Sequence, residues 1–359
     1  MLHDHIDLKT VKNNFLREIN DAKSGKSTSL PFILHKISNK PIVDEREIFQ
    51  VLVIGGTIFQ KALVKKEGKN IRILEKEEKY QPAFKHKDDF ENFIEKEISP
   101  DVKHVALNFA YNIKPVSKKN GVDGIFVSAS KGNIFDSLVG KAVGTEVEKL
   151  IYKKRKQKIS VSVANDTICL LMAGLTRYKE SEISAGVVGT GLNFAFFIGK
   201  NEAVNLEAGS FNKFRQTPEA RLIDLHSTNP GRALFEKEVA GAYLYKHFNL
   251  INEAKGLGSP SLHSTQELDQ LALQNNGEPS KIAKELLFNS ASLVATQIAG
   301  IMEFKAKNLV FIIEGSLFWL SDGYRKNVQK VLAQICPQHK AKFVKIENST
   351  VLGAAKLIS

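Results

Sequence analysis

The chain has 359 residues, more than one hydrophobic core usually holds, so its length predicts two domains. Hydrophobic residues make up 43% of it and charged residues 25%, a balance that excludes a disordered chain. The net charge of +12 suits an anionic partner, and two cysteines without a CxxC spacing exclude a disulfide framework and a thiolate zinc site.

The first predicted element is an amphipathic helix near the N-terminus. Its apolar residues recur at helical spacing, at Leu8, Val11, Phe15 and Ile19. The Gly25-Lys26-Ser27 that follows is similar to the end of a P-loop, which requires a glycine at position 20 and a preceding strand. The chain has Asn20 and a predicted helix there, so the P-loop is rejected.

Three strands and a glycine turn are predicted next. Apolar runs at 51–54, 59–64 and 71–74 indicate an antiparallel meander, with Gly55-Gly56-Thr57 between the first two. A helix around Phe90 and Ile94 ends at Pro100, and a strand follows at 105–109. The polar stretch from Tyr111 to Asn133 is predicted to be a long loop, and loops of that length in compact domains are often functional.

The middle of the chain is predicted to place polar residues at the end of a strand. A helix at 143–151 leads to a strand from Ile159 to Ala164, and Asn165-Asp166 precedes the next helix, at 167–178. The basic run at 153–158 falls where the helix at 143–151 ends, and the helix dipole favours cations there. The run is interpreted as a solvated helix end and does not indicate a nucleic-acid partner.

The pattern of strand, glycine turn and strand then recurs. Gly189-Thr190-Gly191 separates strands predicted at 184–188 and 193–198. The remainder is predicted to be mostly helical, with one strand at 309–313 that leads to Gly315-Ser316 and a short helix from Val351. No stretch of about 18 apolar residues occurs and no apolar leader opens the chain, which favours a cytoplasmic protein without a membrane partner.

The two glycine turns are candidate phosphate sites, because glycine lets backbone N–H groups approach an anion closely. Either turn alone is more often a tight hairpin. Asp166 would stand at the carboxyl end of a sheet, where α/β proteins bind ligands, and it can also be a helix N-cap. With Asn165 it could hold two sugar hydroxyls and accept a proton. Glu207 and Glu236 could equally be solvated acids, and spacing alone does not bring them together.

These segments together resemble the hexokinase family of the actin-like ATPase superfamily, from about Leu30 to Ser359, with the motif order kept. FQVLVIGGTIFQ and VVGTGLNFAFF resemble its phosphate loops, NFAYNIKPV with VSASKGN its sugar loop, and SVANDTICLLMAG its catalytic segment. VNLEAGSF and NPGRALFEKEVAGAYL resemble its glutamate segments. IIEGSLFW resembles the glycine turn on the adenosine side, and STVLGAAKLI the closing helix.

The resemblance implies an α/β fold with two actin-like (ribonuclease H-like) domains and a deep cleft between them. The small domain would span residues 48–163, with the sugar loop and the first phosphate loop. The large domain would take residues 1–47 and 164–349, and residues 350–359 would form the closing helix near the hinge. Sugar binding would close the cleft and exclude water.

The resemblance also implies an ATP-dependent hexose kinase of carbohydrate metabolism such as glycolysis, acting on the 6-hydroxyl of glucose or a similar hexose. Asp166 would be the general base, and Mg²⁺ would bind with ATP and not directly to the protein. The sugar would be held by Ser130, Lys131, Asn165, Asn193, Glu207, Glu236 and Asn112. The nucleotide would lie against Gly55, Gly56, Thr57, Gly189, Thr190, Gly191, Gly315 and Ser316.

The first phosphate loop departs from the family pattern D-x-G-G-T-N-F-R. Val53 replaces the aspartate that helps hold the water shell of Mg²⁺, Ile58 replaces the asparagine, and Gln60 replaces the arginine. This departure motivates an alternative, a catalytically impaired hexokinase-like sugar sensor or regulatory protein. A nucleic-acid binder has no motif behind it, and two distant cysteines exclude the related sugar kinases with a zinc cluster. The motifs do not choose among glucose, mannose, fructose and glucosamine, nor do they give the oligomeric state.

Overall fold

The structure is a computed structural model that describes residues 7–38, 40–55, 57–86, 88–118, 121–128, 135, 138–274 and 276–359. The strands are β1 Ile33–Lys36, β2 Ile48–Ile54, β3 Ile58–Glu67, β4 Asn70–Tyr80, β5 His104–Phe109, β6 Asn112–Ser117, β7 Val122–Ser128, β8 Ser160–Ala164, β9 Ile183–Val188, β10 Leu192–Gly199, β11 Glu202–Asn205, β12 Leu309–Glu314 and β13 Ala341–Val344. The helices are α1 Leu8–Lys23, α2 Asp89–Glu97, α3 Val143–Arg155, α4 Asp166–Gly174, α5 Pro218–Leu225, α6 Leu234–Val239, α7 Gly241–Lys255, α8 Thr265–Leu273, α9 Gly277–Lys305, α10 Ser316–Leu320, α11 Tyr324–Ile335 and α12 Ser349–Ala355. The predicted α/β class is confirmed.

The chain divides into two compact units. The helical unit consists of the chain up to Phe32, Gly186–Phe194 and Leu206–Val344. The sheet unit consists of Ile33–Ala185, Ala195–Asn205 and Lys345–Ser359. A six-stranded sheet has the order β1-β11-β10-β9-β12-β13, and the division assigns residues of β9 and β10 to both units. The domain boundaries implied by the resemblance stay a prediction.

In the helical unit, α1 begins at a cap and packs on α9. The side chain of Asp7 accepts hydrogen bonds from the backbone N–H groups of Lys9 and Thr10. Phe15 is fully buried, and a Cβ on Gly300 of α9 would lie 2.8 Å from its ring, so α9 offers a glycine to this aromatic side chain. The predicted amphipathic helix is confirmed, and the residues before Gly25 are helical, as the rejection of the P-loop requires.

The sheet unit is built on a five-stranded sheet with the order β4-β3-β2-β5-β8. The first three strands form the predicted antiparallel meander, and β5 and β8 are added parallel to β2. Alternate strand residues such as Leu52, Ile54 and Phe109 pack into one apolar cluster with residues of α2 and α3, including Phe90 and Ile151. Because β5 and β8 run parallel to β2, these three strands end at the same edge of the sheet.

The other face of this sheet is covered by α12, which also packs on α4. Gly353 of α12 lies against the backbone of α4, and a Cβ there would stand 1.7 Å from the carbonyl oxygen of Cys169 and 3.2 Å from the nitrogen of Ala173. Glycine is therefore required at this crossing, because any side chain would force the helices apart. The closing helix predicted from Val351 is confirmed and begins at Ser349.

The prediction of a long loop from Tyr111 to Asn133 is wrong for much of that segment. Strands β6 and β7 form an antiparallel hairpin there, with Ser117 opposite Val122. The polar Asp123 is buried there. Its burial is compensated because its carboxylate accepts hydrogen bonds from the backbone N–H groups of Gly144 at 2.8 Å and Thr145 at 2.9 Å, at the start of α3. A polar residue that serves as a buried acceptor has the same sequence signal as a loop residue.

Candidate active site

The second glycine turn, Gly189-Thr190-Gly191, is fixed to a helix of the helical unit. The N–H of Gly189 donates to the Gly191 carbonyl at 3.1 Å and closes the turn. At the start of α7, Gly241 and Ala242 donate to the carbonyls of Gly189 and Thr190 at 2.8 and 3.1 Å. The backbone of the turn is thus held by one internal hydrogen bond and by two from the start of α7.

The turn at Gly315-Ser316, after β12, touches the Gly189 turn. A Cβ on Gly189 would lie 2.9 Å from the Cα of Gly315, and a Cβ on Gly315 would lie 2.1 Å from the Val188 carbonyl oxygen. Gly315 also has a φ of 123°, which other residues rarely adopt. The structure therefore brings together two of the predicted nucleotide segments, and the contact requires glycine on both sides.

A cavity of about 480 Å³ opens beside these two turns. Its wall includes Thr190, Tyr245, His263, Thr265, Asp269 and Ser316. Burial raises the pKa of Asp269, while the N–H of Asp322 donates to its Oδ1 at 3.1 Å. The volume lies in the range of small-molecule sites, and the wall carries the hydroxyl and carboxyl groups that orient a ligand. The part of this wall from α7 and α8 was missed by sequence reasoning, because no motif marks it.

Asn193, Glu207 and Glu236 come together in the same unit. The N–H of Leu192 donates to Oε2 of Glu236 at 2.8 Å. The amide of Asn193 donates to Oε1 of Glu207 at 3.4 Å, and its Oδ1 accepts from the N–H of Ala208 at 3.2 Å. Gly191 belongs to the group as well, since a Cβ there would lie 2.8 Å from Oε2 of Glu236. The fold thus places two carboxylates and an amide at the end of the second glycine turn.

Glu207 has a strained backbone. Its φ of 50° and ψ of 50° lie in the left-handed region, which costs a residue with a side chain on the order of 1 kcal/mol. The following Ala208 carbonyl accepts a hydrogen bond from the buried amide of Gln297 at 3.0 Å, which helps to hold this conformation. Such strain is concentrated at functional positions, and here it sets where the carboxylate of Glu207 lies.

Asn165 and Asp166 lie at the carboxyl end of β8 in the sheet unit. Asn165, and not Asp166, is the N-cap of α4, because its Oδ1 accepts the N–H of Ile168 at 3.0 Å. Asp166 is the first residue of the helix, where the dipole favours a carboxylate. Its Oδ1 accepts the N–H of Thr167 at 2.7 Å and the Thr167 hydroxyl at 3.2 Å.

The first glycine turn lies at the end of β2, also in the sheet unit. Gly55 has a φ of 127°, and its N–H donates to Oε1 of Gln81 at 2.6 Å. Thr57 and Asn112 are exposed, and Asn112 opens β6 opposite Ser128. Three predicted residues, Gly56, Ser130 and Lys131, lie outside the described residues. Gln81 was missed by sequence reasoning, since a glutamine after a strand carries no signal.

Comparisons with known proteins cover nearly the whole chain. A family profile described as hexokinase matches residues 280–359. Hexokinase-1 of Spinacia oleracea is 24% identical over 368 residues, which cover 92% of this chain and 69% of that protein. Hexokinase-2 of Oryza sativa subsp. japonica is 26% identical over 251 residues, covering 60% of this chain and 50% of its own length. A solved hexokinase from Schistosoma mansoni complexed with glucose has a TM-score of 0.77 at 18% identity and covers 98% of this chain and 94% of that one.

The chain is thus similar to hexokinases in sequence and in fold. Its fold is the hexokinase fold, as the structural match over 98% of the chain shows. The chain spans between half and about two thirds of the length of these two plant hexokinases. In the part of it that the structure describes, none of the helices has the length and apolar character that a bilayer crossing needs.

The departure from the hexokinase pattern at Val53 has a defined setting. Gln60, Val53 and Asn108 lie side by side on β3, β2 and β5. Oε1 of Gln60 accepts the hydroxyl of Thr350 at 2.7 Å, and Nδ2 of Asn108 donates to the Thr350 carbonyl at 3.4 Å. Val53 is therefore flanked by two amides tied to the start of α12. The oxygen of the Asn108 amide is buried and has no hydrogen-bond partner among the described residues.

Glu238, in the second glutamate segment, makes the stability of the chain depend on pH. Burial raises the pKa of Glu238 to about 7, and nearby Glu219 also raises it, while a hydrogen bond from Thr217 and the charge of Arg221 oppose the shift. The unfolded chain loses this proton near pH 4.5 and the folded chain near 7, so stability falls as pH rises between them.

We expect Glu238→Gln to remove this pH dependence. Between pH 5 and pH 8 the original chain should lose about 1–3 kcal/mol of unfolding free energy through Glu238, and the variant should not lose this amount. Urea unfolding at the two pH values measures the difference. An equal effect of the substitution at both values would contradict the assignment.

Proposed function

We propose that the chain is an ATP-dependent hexose kinase that transfers the γ-phosphoryl group of MgATP to the 6-hydroxyl of glucose or a similar hexose. The observation that carries the proposal is the group of Asn193, Glu207 and Glu236 at the end of the Gly189 turn, which also borders the 480 Å³ cavity. The Gly189 turn therefore has side chains that can bind sugar hydroxyls at its end and a cavity that can hold a nucleotide beside it. A solved ROK-family glucokinase from Streptomyces griseus, which has a TM-score of 0.56 to this chain at 17% identity, is in complex with glucose and AMPPNP.

In this proposal the two carboxylates bind sugar hydroxyls. A carboxylate accepts hydrogen bonds only, so Glu207 and Glu236 would each take the O–H of a hydroxyl group, while the Asn193 amide can donate. Because both acids are already aligned by protein N–H donors, little order is lost when the sugar binds. We assign the remaining hydroxyl contacts to Asn165, Asn112, Ser130 and Lys131.

Asp166 is proposed as the general base. Its Oδ1 is engaged with Thr167, so Oδ2 is the oxygen that we assign to the proton of the 6-hydroxyl. As that hydroxyl attacks the γ-phosphorus, its O–H bond breaks and the proton passes to Oδ2, while ADP leaves. The N-terminus of α4 supports a carboxylate at this position.

Mg²⁺ is proposed to enter as part of the substrate MgATP. Among the described residues no group of three His, Cys, Asp or Glu side chains could hold a metal ion, and Val53 offers no oxygen ligand. The metal would then be carried by the phosphate oxygens and neutralise their charge. The residues proposed to line the nucleotide are Gly55, Gly56, Thr57, Gly189, Thr190, Gly191, Gly315 and Ser316.

The proposal is tested by ADP release with MgATP across glucose, mannose, fructose and glucosamine. We expect turnover with at least one hexose, and calorimetry should detect binding of the same sugar. The second candidate, a sugar sensor, is favoured by Val53 and Gln60 on the two strands that flank the first glycine turn. Sugar binding without any ADP release would support the sensor and overturn the kinase.

Glu236→Gln is expected to weaken sugar binding. The glutamine oxygen can still accept from Leu192, but the charge that strengthens hydrogen bonds from sugar hydroxyls is lost. We expect the sugar dissociation constant to rise about 10- to 100-fold, as for a lost hydrogen bond to a charged group. Titration calorimetry measures the change.

The matched control is Glu18→Gln in the same unit. Oε2 of Glu18 accepts the N–H of Ser29 at 2.6 Å, so the variant makes the same chemical change at a buried backbone contact. Its sugar affinity should equal that of the original chain. Equal weakening by both substitutions would remove Glu236 from the proposed sugar site.

A further inference from the structure

Gln81 makes three hydrogen bonds at the first glycine turn. Its backbone N–H donates to the Thr57 carbonyl at 2.9 Å, and its Oε1 accepts the N–H of Gly55 at 2.6 Å. Its Nε2 donates to the hydroxyl of Tyr111 at 3.0 Å. The backbone of Gln81 thus holds one end of the turn, and its side chain joins the other end to the segment that follows β5.

Tyr111 is a firm support for this contact. Its side chain is only 5% exposed, and its ring lies 4.9 Å from the ring of Phe109 and 4.9 Å from that of Phe135. The ring is fixed by packing, so the position of its hydroxyl is fixed as well. Tyr111 directly precedes Asn112, which we have proposed as a sugar contact.

The turn itself is pressed against the same segment. A Cβ on Gly55 would lie 2.7 Å from the Cβ of Ala110, and the N–H of Ala110 donates to the Ile54 carbonyl at 2.8 Å. Gly55 has a φ of 127°, which residues with a Cβ rarely adopt. Because glycine can adopt many other conformations, the hydrogen bond from Gly55 to Gln81 helps to hold it in this one. The ends of β2, β4 and β5 therefore meet at Gln81.

We propose that Gln81 is a positioning residue that sets the first glycine turn for MgATP and couples it to the segment carrying Asn112. This inference rests on the kinase function proposed above. The amide of Gln81 occupies the Gly55 N–H without adding a negative charge, so it orders the turn and does not repel a phosphate. Gly55 then contributes the backbone shape of the turn.

The test compares Gln81→Met with Gln81→Glu. Methionine keeps the approximate size of the side chain but makes neither hydrogen bond. Glutamate keeps both contacts, because a carboxylate accepts from the Gly55 N–H and from the Tyr111 hydroxyl, but it adds a charge. We expect Gln81→Met to raise KM for MgATP about fivefold, the effect of losing the one side-chain hydrogen bond that reaches the turn, at Gly55, with the sugar KM changed less than twofold.

Amide hydrogen exchange of the peptide around residues 54–60 gives a second measurement that needs no turnover. Gln81→Met should speed exchange there, while Gln81→Glu should retain the protection of the original chain and still raise KM for MgATP through its charge. Gln50→Met is the matched control, since Gln50 is buried on β2 and its amide contacts the Glu97 carbonyl and the Ser99 N–H. It should alter neither the exchange of residues 54–60 nor KM for MgATP.

The outcomes separate the two proposals. A chain without turnover, in which Gln81→Met still speeds exchange at residues 54–60, overturns the kinase and keeps the role of Gln81 in ordering the turn. Turnover with unchanged exchange or unchanged KM for MgATP in Gln81→Met overturns the role of Gln81 and keeps the kinase. If Gln50→Met raises KM for MgATP as much as Gln81→Met does, the effect is general loss of stability and the positioning role is rejected.

Discussion

Replacing Asp166 by asparagine is expected to lower kcat by about 10²–10⁴-fold, the usual contribution of a general base. Asparagine has nearly the same shape and can keep the contact with the Thr167 N–H, but it does not accept the proton of the 6-hydroxyl. Sugar affinity should change by less than about threefold, because an amide oxygen also accepts a hydroxyl hydrogen bond. Steady-state ADP release and calorimetric sugar binding measure the two quantities.

Asp89→Asn is the control for a change of charge at the start of a helix. Asp89 is the first residue of α2 in the same unit, and its carboxylate accepts two backbone N–H groups at 2.8 Å. This variant should keep the original kcat. A comparable loss in both variants, or full activity in Asp166→Asn, would contradict the assignment of Asp166.

Replacing Gly353 by alanine is expected to destabilise the chain by several kcal/mol. The added methyl group would stand 1.7 Å from the Cys169 carbonyl oxygen, which is backbone and cannot rotate away. Overpacking typically costs about 1–3 kcal/mol and this overlap is severe, while the better helix propensity of alanine returns only about 1 kcal/mol. Thermal unfolding should show a midpoint lowered by several degrees.

Leu352→Ala is the comparison on the same helix. Leu352 is partly buried and its replacement removes atoms, so it loses packing but introduces no overlap. Its midpoint should fall less than that of Gly353→Ala. If Gly353→Ala unfolded at the original temperature, α12 would have to shift freely over α4, and the contact described here would be wrong.

Local sequence patterns predicted much of the fold, but they did not predict which side chains come together at the candidate site. The meander from β2 to β4, the two glycine turns and the helix after Asp166 follow from periodicity and turn residues, which are local. The meeting of Glu207 and Glu236 near Gly191 depends on how β10, β11 and α6 pack, which no spacing encodes. Only the resemblance to a family grouped these residues beforehand.

The errors and omissions share a physical cause. The hairpin of β6 and β7 was predicted to be a loop because its sequence is polar, and the buried Asp123 adds to that polarity. Gln81 was missed because its importance lies in what its amide contacts. The wall of the cavity near Asp269 belongs to a helix whose sequence reads as ordinary and amphipathic. In each case the residue acts through contacts with residues that are distant in sequence, and local patterns do not reveal such contacts.

The crossing at Gly353 also has a consequence for the order of events during synthesis. The segment that carries Asp166 is synthesised well before α12, against which it packs. Until α12 has been made, the backbone around Cys169 lacks its native neighbour, and the contact that completes it joins residues far apart along the chain. A nascent chain stalled before Ser349 should therefore be exposed to proteases at α4, and competence for chemistry should appear only once α12 has been made and has packed on α4.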